Sequence, residues 1–343
     1  MQGVKVLITG GAGFLGSNLA HRLAAAGAEL VLADNLSRRG VELNQREFQE
    51  AYPGTAFYTV EVNDVPALIA RERPALIYHF AAQVAVTMSV QSPVSDFHIN
   101  AEGTFNVART AGEYDIPVVY ASTNKVYGDN VNRVPVVELP MRYEFAGGLG
   151  GRGVDEAFSI DAAHHTPYGC SKLVGELYVR EWGGVVNRFS CMYGPRQHGM
   201  IDQGWLSYFI AQKLAGKPVT IFGDGKQVRD VLHVRDVVEL LVRQGEHLLD
   251  PAKQSIRGEV YSIGGGYANT LSLLELCYIL NITPQFGPWR PSDQKVFYAD
   301  IRKARETFGW EPRVSYRTGI EELSAWTTSL LAASLPRTVS VPA

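Results

Sequence analysis

Short, continuously apolar runs alternate with stretches of helical period through the first half of the chain. "VKVLI" (4–8), "ELVLA" (29–33), "AFYTV" (56–60), "ALIYHF" (75–80) and "PVVYAS" (117–122) read as strands. They lack polar alternation, so they suit a parallel sheet covered on both faces. Helical stretches separate them: 14–26 closing at Gly27, 64–72 closing before Pro74, and about 94–112 before "EYDIP". This rhythm predicts an α/β fold built on a doubly wound parallel sheet with right-handed crossovers.

The rhythm breaks at 129–166, a Gly-rich and polar stretch without a clear period. An irregular segment of this length in a compact domain is more often a site cover than a connector. Tyr143, Phe145 and Phe158 give it apolar anchors, so it is expected to pack. A helix opens near Tyr168, "VVNRFS" (185–190) reads as a strand, and 190–330 mixes helices with short strands. The expected division is a sheet domain of residues 1–189 plus about 228–266, and a smaller mixed α/β domain of about 190–227 and 267–331. A flexible tail is expected over 332–343.

Composition narrows the function classes. Of 343 residues, 32 are Lys or Arg and 35 Asp or Glu, a net charge of −3. That leaves no broad basic field for nucleic acid or anionic lipid. Cys170, Cys191 and Cys277 form no CxxC pair and read as free thiols in a reducing compartment. The chain enters a strand by Val4, which leaves no room for a signal segment. No run of about 18 apolar residues occurs, so no membrane helix is expected. The expectation is a cytoplasmic protein with neither a nucleic-acid nor a membrane partner.

"LITGGAGFLGSNLAHRLAAAG" (7–27) follows the first strand and opens the first helix. Gly10, Gly13 and Gly16 permit a tight turn, and the helix start at Phe14 and Leu15 presents free N–H groups to a pyrophosphate. Such a turn alone is also the mark of an ordinary tight loop. Here it lies between strand and helix, and Asp34 ends the second strand 18 residues beyond Gly16. That context is the dinucleotide fingerprint. A carboxylate at Asp34 accepts from ribose hydroxyls and repels a 2′-phosphate, which favours NAD over NADP. Arg38 and Arg39 could pair with such a phosphate but read better as solvated loop residues. Asn35, Ser37 and Arg38 complete the cofactor candidates on this side, with Glu61 and Val62 for the adenine.

"TPYGCSKLVGE" (166–176) sets Tyr168 and Lys172 four apart, on one face of a helix that Pro167 suits as a first residue. Moving a tyrosine from ~10 to ~7 needs about 4 kcal/mol. One cation near 4 Å at an effective dielectric of ~20 supplies about that much. Lys172 with an oxidised nicotinamide would therefore make Tyr168 a usable base. A YxxxK pair is common by chance; its place after the glycine-fingerprint sheet, with Thr123 ending the fifth strand, raises it to a catalytic candidate.

GGAGFLG, Asp34-Asn35-Leu36, "HFAA" (79–82), Thr123 with "VYG", Tyr168 with Lys172, and "VRDVLHVRDV" (228–237) together resemble the extended short-chain dehydrogenase/reductases acting on nucleotide sugars. The resemblance covers about residues 4–326. "STNKVYG", "DEAFSID", "FSCMYGPRQHG", "GDGKQVRDVLH" and "SDQKVFYADIRKA" resemble most the branch of CDP-paratose 2-epimerases. It implies a Rossmann NAD-binding domain and a nucleotide-sugar-binding domain, with Thr123, Tyr168 and Lys172 as catalytic residues. It also implies tightly held NAD, cofactor contacts from Phe80, Ala81 and Ala82, Tyr193 and Pro195 beside the nicotinamide, and a homodimer paired through helices 94–112 and 168–182.

Related 4,6-dehydratases carry Asp-Glu where this chain has Asn124-Lys125. Eliminating water needs an acid and a base. Asn124 has no acidic proton, and Lys125 is a poor base unless strongly desolvated. The pair forbids that route and leaves redox epimerisation, which the branch performs at C2. By resemblance, Arg229 and Arg290 meet the diphosphate and ribose, Asp293 the ribose, and Gln203 with Trp205 line the nucleotide or sugar pocket. Cys191 stands where many relatives place an asparagine on the diphosphate. Asp230 and His233 are read as holding their segment in place. His164 and His165 have no metal-ligand partners at regular spacing, so they are read as loop residues and no metal is expected. A C4-epimerase on a related sugar nucleotide is the alternative enzyme, and a non-catalytic NAD-binding sensor the alternative class.

Overall fold

The structure is a computed structural model and describes residues 1–161, 164–290 and 292–334. Seven strands form the main sheet: β1 (Lys5–Thr9), β2 (Glu29–Asp34), β3 (Ala56–Thr59), β4 (Leu76–His79), β5 (Val118–Thr123), β6 (Val185–Phe189) and β7 (Val260–Ile263). All pair in parallel, in the order 7-6-5-4-1-2-3. The order reverses between β1 and β4, which opens a crevice at the carboxyl ends of those strands.

The apolar strand patterns have the cause read from the sequence: each face of the sheet is covered. Leu19, Leu23, Val237 and Leu241 pack on one side, Val107, Ala108 and Val179 on the other. Each fully buried leucine or valine contributes roughly 1.5–3 kcal/mol by leaving water. The helix expected over 94–112 runs instead as three joined segments: Pro93–Asp96, a π-helical stretch Phe97–Glu102, and Gly103–Glu113. At the start of the wide turn, Asp96 and Asn100 are buried and hydrogen-bonded to Gln83.

The irregular stretch packs. A 3₁₀ segment (Asn124–Arg133) leads to an antiparallel hairpin of Val136–Glu138 with Tyr143–Phe145. Val126, Tyr127, Tyr143, Phe145 and Phe158 close on Phe297 and Tyr298. The smaller sheet joins Cys191–Tyr193, Val228–His233, Thr270–Ser272 and Val296–Phe297. Val228–His233, placed by the sequence at about the start of the sheet domain's second part, pairs only in the smaller sheet. The chain returns to the main sheet through helix Val234–Leu249, whose first turn the His233 ring caps by accepting from the Arg235 N–H at 3.3 Å. The expected tail lies outside the described residues from 335 on.

Candidate active site

At the crevice, β1 ends in the glycine turn and helix Phe14–Ala25 begins. Gly10 has φ of 68°, and a Cβ there would lie 2.9 Å from the Ala81 backbone nitrogen. A Cβ on Gly16 would lie 2.1 Å from the Gly10 carbonyl oxygen. The turn is thus a cradle that any larger residue would fill, with Gly13 at the helix cap, Leu15 buried and Phe14 half-buried. Thr9 ties the neighbouring strand end, its hydroxyl accepting from the N–H groups of Phe80 and Ala81 at 3.2 Å; Ala82 follows.

Asp34 ends β2 with one carboxylate oxygen accepting from Ala12 N–H at 3.1 Å and the other from Leu36 N–H at 2.8 Å. Burial holds its carboxyl above the ordinary value, against the pull of those N–H groups. Asn35 donates to Glu61 at 3.0 Å and accepts from the Ser37 hydroxyl at 2.7 Å. Val62 is buried beside Gly103. A Cβ-free cradle, an open helix start and a terminal carboxylate fit a dinucleotide. The two arginines differ: Arg39 is exposed, whereas Arg38 turns inward and donates to Gln203 at 2.8 Å. Reading Arg38 as solvated is corrected on that ground.

Thr166 caps helix Pro167–Glu181, its hydroxyl accepting from Gly169 N–H at 3.2 Å. This start places Tyr168, Lys172 and Glu176 on one buried face. Burial pushes the Tyr168 phenol up to about 12, Asp96 adds to that, and a hydrogen bond with the Thr123 hydroxyl and the charge of Arg38 pull it down. The same Thr123 oxygen accepts from Lys125 N–H at 3.2 Å. Lys172 stands on the same buried face. One turn beyond Tyr168, its ammonium lies 4.2 Å from the centre of the Tyr120 ring. Burial lowers it to about 7, with Glu176 and Asp96 pulling up. The charge of Arg38 also reaches the phenol and draws it down.

A cavity of about 440 Å³ adjoins this centre, and Lys125, Gln203, Trp205, Arg229, Arg290 and Asp293 all line it. Thr123, Tyr168 and Lys172 are not on its wall; Lys125, two residues past Thr123, is the link. Arg229 donates to Asp293 at 2.6 Å, and Arg290 donates to the Ile201 carbonyl at 2.6 Å while stacking on Phe222. Asn124 and Cys191 are off the wall. Asn124 donates to Gln294 at 3.2 Å, and the Cys191 sulfur accepts from the Trp205 indole at 2.9 Å. Burial pushes the Cys191 thiol up to about 11. Tyr193 has its ring fully buried in the smaller sheet's core with Leu206 and Leu323 and its hydroxyl against Gly319. Pro195 does reach the first helix, its carbonyl accepting from Asn18 at 3.0 Å.

Residues 6–264 match the NAD dependent epimerase/dehydratase family. The chain belongs to that family. Over 95% of its length it is 40% identical to the whole of a CDP-paratose 2-epimerase of Salmonella typhi. It is 31% identical to a UDP-glucose 4-epimerase of Mycolicibacterium smegmatis, over 92% of this chain and 96% of that one. The crystal structure of a Thermotoga maritima UDP-glucose 4-epimerase with UDP-glucose superimposes with a TM-score of 0.77 at 28% identity. It covers 95% of this chain and 99% of that one. As a member of the NAD dependent epimerase/dehydratase family the chain uses NAD and has the expected Rossmann sheet.

Several residues of this epimerase/dehydratase site escaped sequence reasoning. Asp96, buried, accepts from the Ser171 hydroxyl at 2.6 Å. Gln294 holds Asn124 from 170 residues away, and Phe222 supplies a ring for Arg290. Gln294 adjoins Asp293, which was a signal; the others gave none. Asp230 holds its segment as expected, accepting from Gly266 N–H at 3.1 Å and Ala299 N–H at 2.9 Å. His165 bonds the Val126 carbonyl at 2.9 Å. Among the described residues there is no cluster of metal-ligating side chains, and no helix is long and apolar enough to cross a membrane.

Proposed function

We propose that this chain is an NAD-dependent nucleotide-sugar epimerase that inverts C2 of a CDP-linked hexose of the paratose type. The observation that carries the reading is the buried Tyr168 phenol under the influence of Thr123, which ends β5 at the carboxyl edge of the sheet where the glycine turn also opens. The 40% identity to a full-length enzyme named for that reaction supports the position on the sugar.

When bound, NAD accepts a hydride from a carbinol carbon and gives it back. Tyr168 takes the proton of the reacting hydroxyl, and Thr123 hydrogen-bonds the same oxygen. The planar ketone then offers its other face, and Tyr168 returns the proton to the oxygen. Gly10, Gly13 and Gly16 hold the dinucleotide's phosphates, Asp34 its ribose, and Lys172 the adjoining sugar hydroxyls. Arg229 and Arg290 meet the substrate diphosphate. Dehydration has no proton donor at Asn124, whose amide is committed to Gln294. Lys125 is lowered by burial to about 8 and so stays charged at neutral pH, which denies the base. With three unpaired cysteines the enzyme suits a reducing cytoplasm. We further infer a homodimer through the paired helices that leave Val94, Phe97 and Leu177 exposed.

The test is proton NMR of CDP-paratose incubated with the enzyme in D₂O. The expected product shows inverted H2 couplings and keeps its proton at C2. Deuterium at C2 would replace internal hydride return by solvent exchange, and coupling changes confined to H4 would make the enzyme a C4-epimerase.

A further inference from the structure

We propose that Lys125 fixes which sugar carbon reacts, by holding the phosphate attached to C1 close to Thr123 and Tyr168. This rests on the C2 reading above.

The cavity wall carries three cations, Lys125, Arg229 and Arg290, and two carboxylates, Asp202 and Asp293. Two of the cations are already engaged. Arg229 is paired with Asp293 and donates to the Val228 carbonyl at 2.7 Å. Arg290 donates to Ile201 and stacks 4.1 Å from the centre of the Phe222 ring. Lys125 forms no ion pair among the described residues. Asp293, the carboxylate that pulls on it most, is the one Arg229 occupies. A desolvated ammonium beside a cavity, without a committed anion, is a site for one that arrives with a ligand.

Its position gives that anion a meaning. Lys125 N–H donates to the Thr123 hydroxyl at 3.2 Å, and that hydroxyl acts on the Tyr168 phenol. The backbone that carries the cation is thus tied to the strand end of Thr123, while its side chain lines the cavity within the field of Asp293 and Arg229. In a pyranosyl diphosphate, C2 adjoins the phosphate-bearing C1, whereas C4 lies across the ring. A phosphate held beside Thr123 brings the C2 hydroxyl to Tyr168. A phosphate held by the arginines alone is not tied to the Thr123 end, and the C4 hydroxyl can then compete for Tyr168.

The test compares CDP, whose terminal phosphate is the one that carries the sugar, with CMP, which lacks it. Titration calorimetry on NAD-loaded wild type, Lys125→Met and Lys125→Arg reads the difference. Lys125→Met is expected to weaken CDP about 30-fold and CMP less than about 3-fold, with Lys125→Arg in between. In turnover, Lys125→Met should lower kcat/KM for CDP-paratose about 100-fold with unchanged NAD content. Equal weakening of CDP and CMP, or none, overturns the assignment. Failure of the underlying reading looks different: wild type itself would act at H4. If wild type prefers uridine nucleotides, UDP and UMP replace the pair and the same difference decides.

Discussion

Tyr168 starts further from neutrality than a tyrosine in water. Burial sets its phenol at about 12, so bringing it to ~7 needs roughly 7 kcal/mol. A single cation near 4 Å at an effective dielectric of ~20 offers about 4 kcal/mol. One ammonium therefore does not suffice, and Lys172 spends part of its field on the Tyr120 ring and Glu176. The Thr123 hydroxyl and Arg38 already count in that value, so the balance falls to Lys172 together with the positive charge that oxidised NAD brings. Tyr168 is then a base chiefly in the loaded enzyme. Replacing the phenol removes the proton acceptor and leaves the glycine cradle untouched. Tyr168→Phe is expected to lower kcat by about 10³-fold while the purified protein still releases stoichiometric NAD on denaturation. Turnover within about tenfold of wild type would take Tyr168 out of the reaction.

The element that presents this tyrosine is helix Pro167–Glu181, and a buried ion pair braces it. Glu176, 1% exposed, accepts from Arg188 of β6 at 2.8 Å and from the Ser122 hydroxyl of β5. Both strands are thereby bolted to the face that carries Tyr168 and Lys172. Removing the carboxylate strands a guanidinium that is 5% exposed. Glu176→Ala is therefore expected to cost about 3–5 kcal/mol in urea unfolding. A change below about 1 kcal/mol would show that water replaces the carboxylate and that the brace is dispensable. Nothing in the sequence marks this pair, because its partners are 12 residues apart and meet only through tertiary packing. What was legible was local. Strands buried on both faces must be continuously apolar, and the glycine turn and the Tyr168/Lys172 face are fixed by spacing alone. What was illegible depends on distant partners. The strand Cys191–Tyr193 puts both residues on one face by its period of two, but only packing says that this face meets the smaller sheet's core. The π-helical stretch and the sheet membership of Val228–His233 were hidden for the same reason.

At the scale of the whole molecule, apolar side chains remain where the first half's helices meet. Val90 and Val94 lie on the helices Val86–Gln91 and Pro93–Asp96, Phe97 begins the π-helical stretch, and Leu177 stands on helix Pro167–Glu181. Phe97 is 52% exposed and Leu177 56%. These helices pack on one another, so the patch is a continuous candidate for a two-fold contact in which each residue serves twice. Its consequence reaches the reaction, because Val86, Thr87 and Val90 of the first helix also line the substrate cavity. A partner that covers the helix Val86–Gln91 would steady the cavity wall that the same helix supplies. The wild-type protein is expected to elute as a dimer in light scattering at micromolar concentration. The double variant Phe97→Asp, Leu177→Asp should elute as a folded monomer, with unchanged NAD content and a KM for the sugar nucleotide raised about tenfold. A wild-type monomer would remove the interface. A variant that stays dimeric would move it to another face, and a monomeric variant with wild-type KM would cut the link between assembly and cavity.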